Sequence, residues 1–198
     1  MMYILRHGQT RWNLEGKKQG WQDSPLTVRG FKQGVSIAKL LDSKIKGNIT
    51  DYKIVISPLQ RCRQYTSIVC ETLGIDYNKC IVEEGLKEHK FGEWEGKTEA
   101  EIESQFPGAL KERMLNRWNY VVPSGESYSK LYQRVKSVYV HYKEDNVVFI
   151  CHEMVSKVLR GLMLNENSNS VPIQKHSQNK IFIYDGKSIK EEIIDEIK

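Results

Sequence analysis

Residues 146–153 read Asn-Val-Val-Phe-Ile-Cys-His-Glu, an apolar run that stops abruptly on a histidine. A continuous apolar run of this length suits a strand covered on both faces, because neither face offers a polar residue to water. From about Met154 to Leu164 the spacing becomes helical. Working outward, the same unit recurs. Met2 to Leu5 is a short apolar run that ends on Arg6-His7-Gly8. Lys53 to Ser57 is closed by Pro58, and Leu59 to Leu73 follows as a helix with Gly74 placed to cap its end. Thr27 is the expected N-cap of a helix to Ser43, with Phe31, Val35, Ile37, Ala38 and Leu41 on its apolar face. Ser127 to Tyr142 repeats that pattern with Leu131, Val135, Val138 and Tyr142. Ile81-Val82 reads as a short strand, Leu86 to Gly96 as an irregular loop, and 98–118 as helix broken at Pro107-Gly108. Lys180 to Tyr184 and Ser188 to Ile194 flank Asp185-Gly186, a hairpin signal.

Strands alternating with helices predict an α/β fold, a three-layer α/β/α sandwich with a mostly parallel central sheet. Ligands of such sheets bind at the carboxyl ends of the strands. Three segments put polar residues there: Arg6-His7, Ser57 to Arg61, and His152. The 198 residues suit a single domain over 1–198, with a small helical cap or insertion at about 96–123.

Composition narrows the classes. Apolar residues are 39% and charged residues 28% of the chain, a balance that argues against disorder. No apolar run approaches the length of a membrane span. Met1 to Leu5 runs straight into Arg6 and His7, with no room for a signal peptide, and a cytoplasmic location is expected. Cys62, Cys70, Cys80 and Cys151 have no C-x-x-C spacing, so they are expected to be reduced thiols with no metal site. The net charge is +5, and residues 1–50 carry nine Lys/Arg against three Asp/Glu. That excess asks for an anionic partner. With no basic run interleaved with aromatics, a small phosphorylated metabolite is expected and nucleic acid is not. The sequence sets no oligomeric state.

Four separated stretches carry the chemistry: LRHGQTRWN at 5–13, SPLQRCRQYT at 57–66, LKEHKFGEWEG at 86–96 and FICHE at 149–153. With W-x-D-x-P-L-T-x-x-G at Trp21 to Gly30 and P-x-G-E-S at Pro123 to Ser127, the chain resembles the histidine phosphatase superfamily, also called phosphoglycerate mutase-like, from Tyr3 to about Tyr184. A phosphate monoester is dianionic, so its site must neutralise the phosphoryl oxygens while presenting an uncharged attacking atom. The resemblance assigns that atom to His7, phosphate contacts to Arg6, Asn13, Arg61 and His152, and the proton donor to Glu88. It implies a metal-independent phosphatase acting through a phosphohistidine, without a cofactor. Gln19, Gly20, Arg113 and Arg117 are further candidates for substrate contact.

The competing reading within the family is a cofactor-dependent phosphoglycerate mutase, which would need bisphosphoglycerate. Family mutases carry a longer segment after the acid with an adjacent Arg pair. Here Gly96 to Pro123 is short, and Arg113 and Arg117 are spaced apart, which favours hydrolysis. A scaffold without activity is disfavoured by the complete set of Arg6, His7, Arg61, Glu88 and His152. Glu153 departs from the family, which usually has Gly after its second histidine; its side chain is expected to point away or to pair with an Arg or Lys. His89, His141 and His176 are read as solvent-facing or structural, and Trp12, Trp21 and Trp94 as packing residues. Trp118 is read as lining a pocket or packing a helix.

Overall fold

The computed structural model describes residues 1–166 and 175–194. The proposed extent of 1–198 therefore includes residues outside the described ones.

Strand β1 (Met2–Arg6) is followed by a short helix α1 (Arg11–Leu14) and by α2 (Val28–Ile45). Strand β2 (Lys53–Ile56), helix α3 (Gln60–Leu73) and the two-residue β3 (Ile81–Val82) come next. Helices α4 (Glu99–Gln105), α5 (Ala109–Leu115) and α6 (Tyr128–Tyr142) precede β4 (Val147–Cys151) and α7 (Glu153–Met163). Strands β5 (Lys180–Tyr184) and β6 (Ile189–Ile193) close the described chain.

The six strands form one sheet in the order β3-β2-β4-β1-β5-β6. β4 lies parallel to β1 and β2, and β2 lies parallel to β3. β5 and β6 are antiparallel, joined by the turn expected at Asp185-Gly186. The expected α/β sandwich is present, with a mixed sheet.

Alternation along each strand explains the layers, since successive side chains point to opposite faces. Val147, Phe149 and Cys151 of β4 join Met2 and Ile4 of β1 against α6 and α7. Val148 and Ile150 join Tyr3 and Leu5 on the other face, against α2 and α3. Being central, β4 is buried on both sides, which is why its sequence is apolar throughout. Truncating Phe149 to Ala would cost about 3–5 kcal/mol through lost transfer energy and a cavity. Phe91, Trp94, Ile102 and Val122 form a small separate cluster under α4 and α5, so the 96–123 stretch has its own apolar support.

Local signals held at most boundaries. Thr27 caps α2 by accepting the Gly30 amide, and Gly74 ends α3 in the left-handed region (φ 66°). Phe31 is a correction: it is 47% exposed, because the first turns of α2 turn Gln33 and Gly34 inward instead. Gln33 accepts the Gln9 amide there, so that face serves the loop after β1. Among the described residues no helix is long and apolar enough to cross a membrane.

Candidate active site

The parallel arrangement brings the carboxyl ends of β1, β2 and β4 to one edge. The ladder continues past the strands, with the His7 amide on the Cys151 carbonyl and the Ser57 amide on the Ile150 carbonyl. Beyond β1 the backbone passes so close to α2 that a Cβ on Gly8 would lie 2.4 Å from the Gly30 carbonyl oxygen. Neither Gly8 nor Gly30 can be replaced without moving that crossing.

His7 is 3% exposed and its Nδ1 lies 2.8 Å from the Gly8 carbonyl oxygen. A carbonyl only accepts, so Nδ1 carries the ring proton and Nε2 keeps its lone pair. Burial, followed by the charges of Arg61 and Arg6, holds the imidazole well below its ordinary pKa of 6.5. His7 is therefore a neutral ring with one free nitrogen.

His152 is fully buried beside it, with the two ring centroids 5.3 Å apart in an edge-on arrangement. Its Nε2 meets the Ser57 hydroxyl at 2.7 Å, and burial and Arg61 keep it neutral as well. His152 does not itself line the cavity described below.

Arg61, in the first turn of α3, is 1% exposed. It donates to the Gly20 and Gln22 carbonyls at 2.8 Å each and to Asp23 at 2.5 Å. Arg6 reaches the His176 carbonyl and pairs with Glu153 at 2.9 Å. The Nε–H groups of both arginines are buried without a partner among the described residues. Asn13 accepts from the Thr10 amide and hydroxyl and from Gln178 on its side-chain oxygen, which leaves its NH₂ as the free end.

Glu88 is buried, its carboxyl oxygens accepting from the amides of His89 (2.9 Å) and Met154 (3.3 Å). Burial raises its pKa above the ordinary 4.5, with Arg61 and the two amides opposing the rise. It holds a proton to higher pH than an exposed carboxylate does.

These groups meet in one cavity of about 620 Å³, whose lining includes Arg6, His7, Asn13, Arg61 and Glu88. The other candidates, Gln19, Gly20, Arg113 and Arg117, lie in its wall too. Gly20 is in the left-handed region (φ 57°), and a Cβ there would collide with the Glu95 carboxylate. Eight Lys or Arg line the cavity against three Glu, so its field favours anions. No group of three or more His, Cys, Asp or Glu set to hold a metal ion occurs among the described residues.

The departure at Glu153 has a structural account. Its carboxylate pairs with Arg6 at 2.9 Å and with Lys157 at 3.4 Å, so the negative charge is shared between two cations. His89 and His176 are buried and structural; His176 receives the Ser156 hydroxyl and donates to the Lys180 carbonyl. Trp94 is buried and Trp118 packs on Tyr128 and Tyr132, away from the cavity. Trp21 is 38% exposed and donates to the Glu88 carbonyl.

Sequence reasoning missed Ser57 as a partner of His152, Asp23 as a partner of Arg61, and the wall residues Lys17, Lys18, Lys157 and Lys175. Asp23 stood in the Trp21 to Gly30 stretch, the available signal for it. Lys17 and Lys18 had only the basic character of residues 1–50 to mark them, and Lys157 and Lys175 had no signal.

A sequence model of the histidine phosphatase superfamily (branch 1) matches residues 2–194. The chain belongs to this superfamily. Human 6-phosphofructo-2-kinase/fructose-2,6-bisphosphatase 1 is 31% identical over 175 residues, 88% of this chain and 35% of that one. This superfamily member thus spans about a third of the length of the curated relatives it matches. A putative alpha-ribazole-5'-P phosphatase from Escherichia coli superposes with a TM-score of 0.81 at 18% identity, over 98% of this chain and 95% of that one. A mycobacterial glucosyl-3-phosphoglycerate phosphatase superposes with a TM-score of 0.75 at 24% identity, over 98% and 97%. Both likenesses bear on the fold alone.

Proposed function

We propose that the chain is a metal-independent phosphatase of small phosphorylated metabolites, working through a phosphoryl group carried on His7. The observation that supports this most is the His7 ring: neutral, with Nδ1 tied to the Gly8 carbonyl and Nε2 free in an anion-attracting cavity. An uncharged nucleophile avoids the repulsion that a dianionic ester presents to an anion.

In the first step Nε2 attacks phosphorus, the P–O ester bond breaks, and Glu88 gives its proton to the departing alkoxide. Arg6 and Arg61 line the cavity and bring positive charge to the phosphoryl oxygens, and Asn13 adds its NH₂. When Ser57 donates its hydroxyl hydrogen to His152 Nε2, the proton of that ring sits on Nδ1 and serves as a donor to the phosphoryl group on His7. In the second step the Glu88 carboxylate takes a proton from water, the hydroxide oxygen bonds to phosphorus, and the N–P bond breaks. Glu88 is then protonated and phosphate is free.

The names of relatives support small phosphate esters as the substrate class: a fructose-2,6-bisphosphatase by sequence, an alpha-ribazole-5'-P phosphatase by fold. The test is to quench the protein with a labelled phosphate ester in alkali. An acid-labile, alkali-stable phosphoryl group is expected in the wild type and none in His7→Ala; a label that survives acid sinks the mechanism. Excess EDTA should leave turnover intact. Supplied with 3-phosphoglycerate and a trace of bisphosphoglycerate, the protein should release phosphate faster than it forms 2-phosphoglycerate. The reverse would make it a mutase.

A further inference from the structure

Glu88 lies in a segment with almost no regular structure of its own: β3 is two residues long, and only a single turn at Glu84–Leu86 follows it. A proton donor must nevertheless be fixed to a fraction of an ångström, since proton transfer requires heavy-atom distances of about 2.6–3.2 Å. Besides the Trp21 ring on the Glu88 carbonyl and the Met154 amide on its carboxylate, the segment is held by Arg134 of α6 and by Glu126 just before that helix.

Arg134 of α6 is completely used. Its Nη1 donates to the Gly85 carbonyl at 2.8 Å and to the Lys87 carbonyl. Its Nη2 donates to the Glu88 carbonyl at 2.8 Å and to Glu126 at 2.6 Å, and its Nε reaches the second Glu126 oxygen at 3.2 Å. A guanidinium has five N–H donors, and all five are placed. Glu126 in turn accepts the Lys90 amide at 2.9 Å. The pair thus grips the backbone on both sides of Glu88, at residues 85, 87, 88 and 90.

The P-x-G-E-S stretch acquires a purpose here that the reaction itself did not give it. Ser127 caps α6 by accepting the Lys130 amide, while Glu126 closes the grip on the loop. Gly125 lets the two segments meet, because a Cβ there would lie 2.5 Å from the Lys90 carbonyl oxygen. Neither Arg134 nor Glu126 lines the cavity, so neither touches the reacting atoms.

We infer that Arg134 and Glu126 are positioning residues for Glu88, setting where its carboxyl meets the leaving group. This rests on the reading of Glu88 as the proton donor. The geometry depends on a planar fork reaching three carbonyls and a carboxylate together, which a lysine ammonium on a flexible stem does not reproduce.

The test compares kcat/KM for an alkyl phosphate, whose leaving group needs a proton, with that for p-nitrophenyl phosphate, whose leaving group does not. Arg134→Gln should lower the alkyl-to-nitrophenyl ratio by about tenfold or more, since a misplacement of about 1 Å costs on the order of 10²-fold. Arg134→Lys should recover little of it. On a Glu88→Gln background the Arg134→Gln change should shift the ratio less than about twofold, as expected for residues acting through one another. Thermal unfolding followed in parallel separates lost fold from lost positioning. If Arg134→Gln does not fold, Glu126→Gln leaves the three carbonyl contacts in place and should move the ratio the same way, by about threefold.

A Glu88→Gln ratio that falls, together with Arg134 and Glu126 variants that slow both esters equally, overturns the positioning role and leaves the reading of Glu88 standing. A Glu88→Gln ratio equal to that of wild type overturns both.

Discussion

The floor and the rim of the cavity are built in opposite ways. At the floor, His7 and Arg61, with His152 packed behind them, stand at strand and helix ends, 3%, 1% and 0% exposed, each tied to the protein by hydrogen bonds. At the rim, Arg113 lies on α5 over the Phe91 ring and Arg117 lies just beyond the helix. Neither has a carboxylate partner among the described residues. Burial fixes protonation state and orientation, which bond-making requires. Guanidinium groups without a carboxylate partner, half-buried at Arg113 and exposed at Arg117, leave net charge to meet the part of a ligand that does not react. Reaction and substrate preference should therefore separate by mutation.

The largest effect belongs to the floor. His7→Ala should slow phosphate release by at least about 10⁴-fold on every ester, as loss of a nucleophile does in other enzymes. Any ester turned over at more than a hundredth of the wild-type rate would break the comparison.

Next comes pH. Burial raises Glu88, with Glu153 pushing the same way and Arg61 and the His89 and Met154 amides opposing. The acid works only when protonated, so kcat/KM should fall about tenfold per pH unit above the raised Glu88 pKa. His7 is held well below 6.5, so it stays neutral and causes no loss near pH 6. A pH profile of Glu88→Gln should lack the basic limb; a limb that survives there belongs to another group.

Smaller effects are expected at the rim. Arg113→Gln with Arg117→Gln should raise KM about tenfold and leave kcat within about twofold, with the difference shrinking as salt rises. A kcat loss equal to that of a floor variant would move these arginines into the reaction itself. The smallest change is expected where the two regions meet. Glu153 holds Arg6 from the wall, and Glu153→Gln should tighten inhibition by inorganic phosphate about threefold, its partly exposed charge being screened. Weaker inhibition would mean that Glu153 holds Arg6 in a binding posture rather than competing with the anion.

Much of the fold was legible because a strand covered on both faces writes itself into the chain as a short, continuous apolar run. Met2 to Leu5, Lys53 to Ser57 and Asn146 to Cys151 were readable as strands, and Thr27 and Gly74 as ends of helices, from local chemistry alone. Helix α1 was not legible. Its four residues exist through a capping box between Thr10 and Asn13, and the Asn13 oxygen is also held by Gln178. Phe31 was misread because the first turns of α2 bury small and polar residues, Gly30, Gln33 and Gly34, which leaves Phe31 on the outer face.

By itself, the sequence determined which residue types stand at which strand ends, since alternation, caps and turns act over a few residues. It thereby put Arg6, His7, Arg61 and His152 at strand ends, while the resemblance to the superfamily supplied their roles and added Glu88. Only the tertiary structure decided which atoms of that group are free. Arg61 is tied by Asp23 at a separation of 38 residues and Arg6 by His176 at 170, while Arg134 grips the Glu88 segment from 46 residues away. Hydrogen bonds satisfy whichever donors and acceptors the fold brings within about 3 Å, and no local pattern records that proximity.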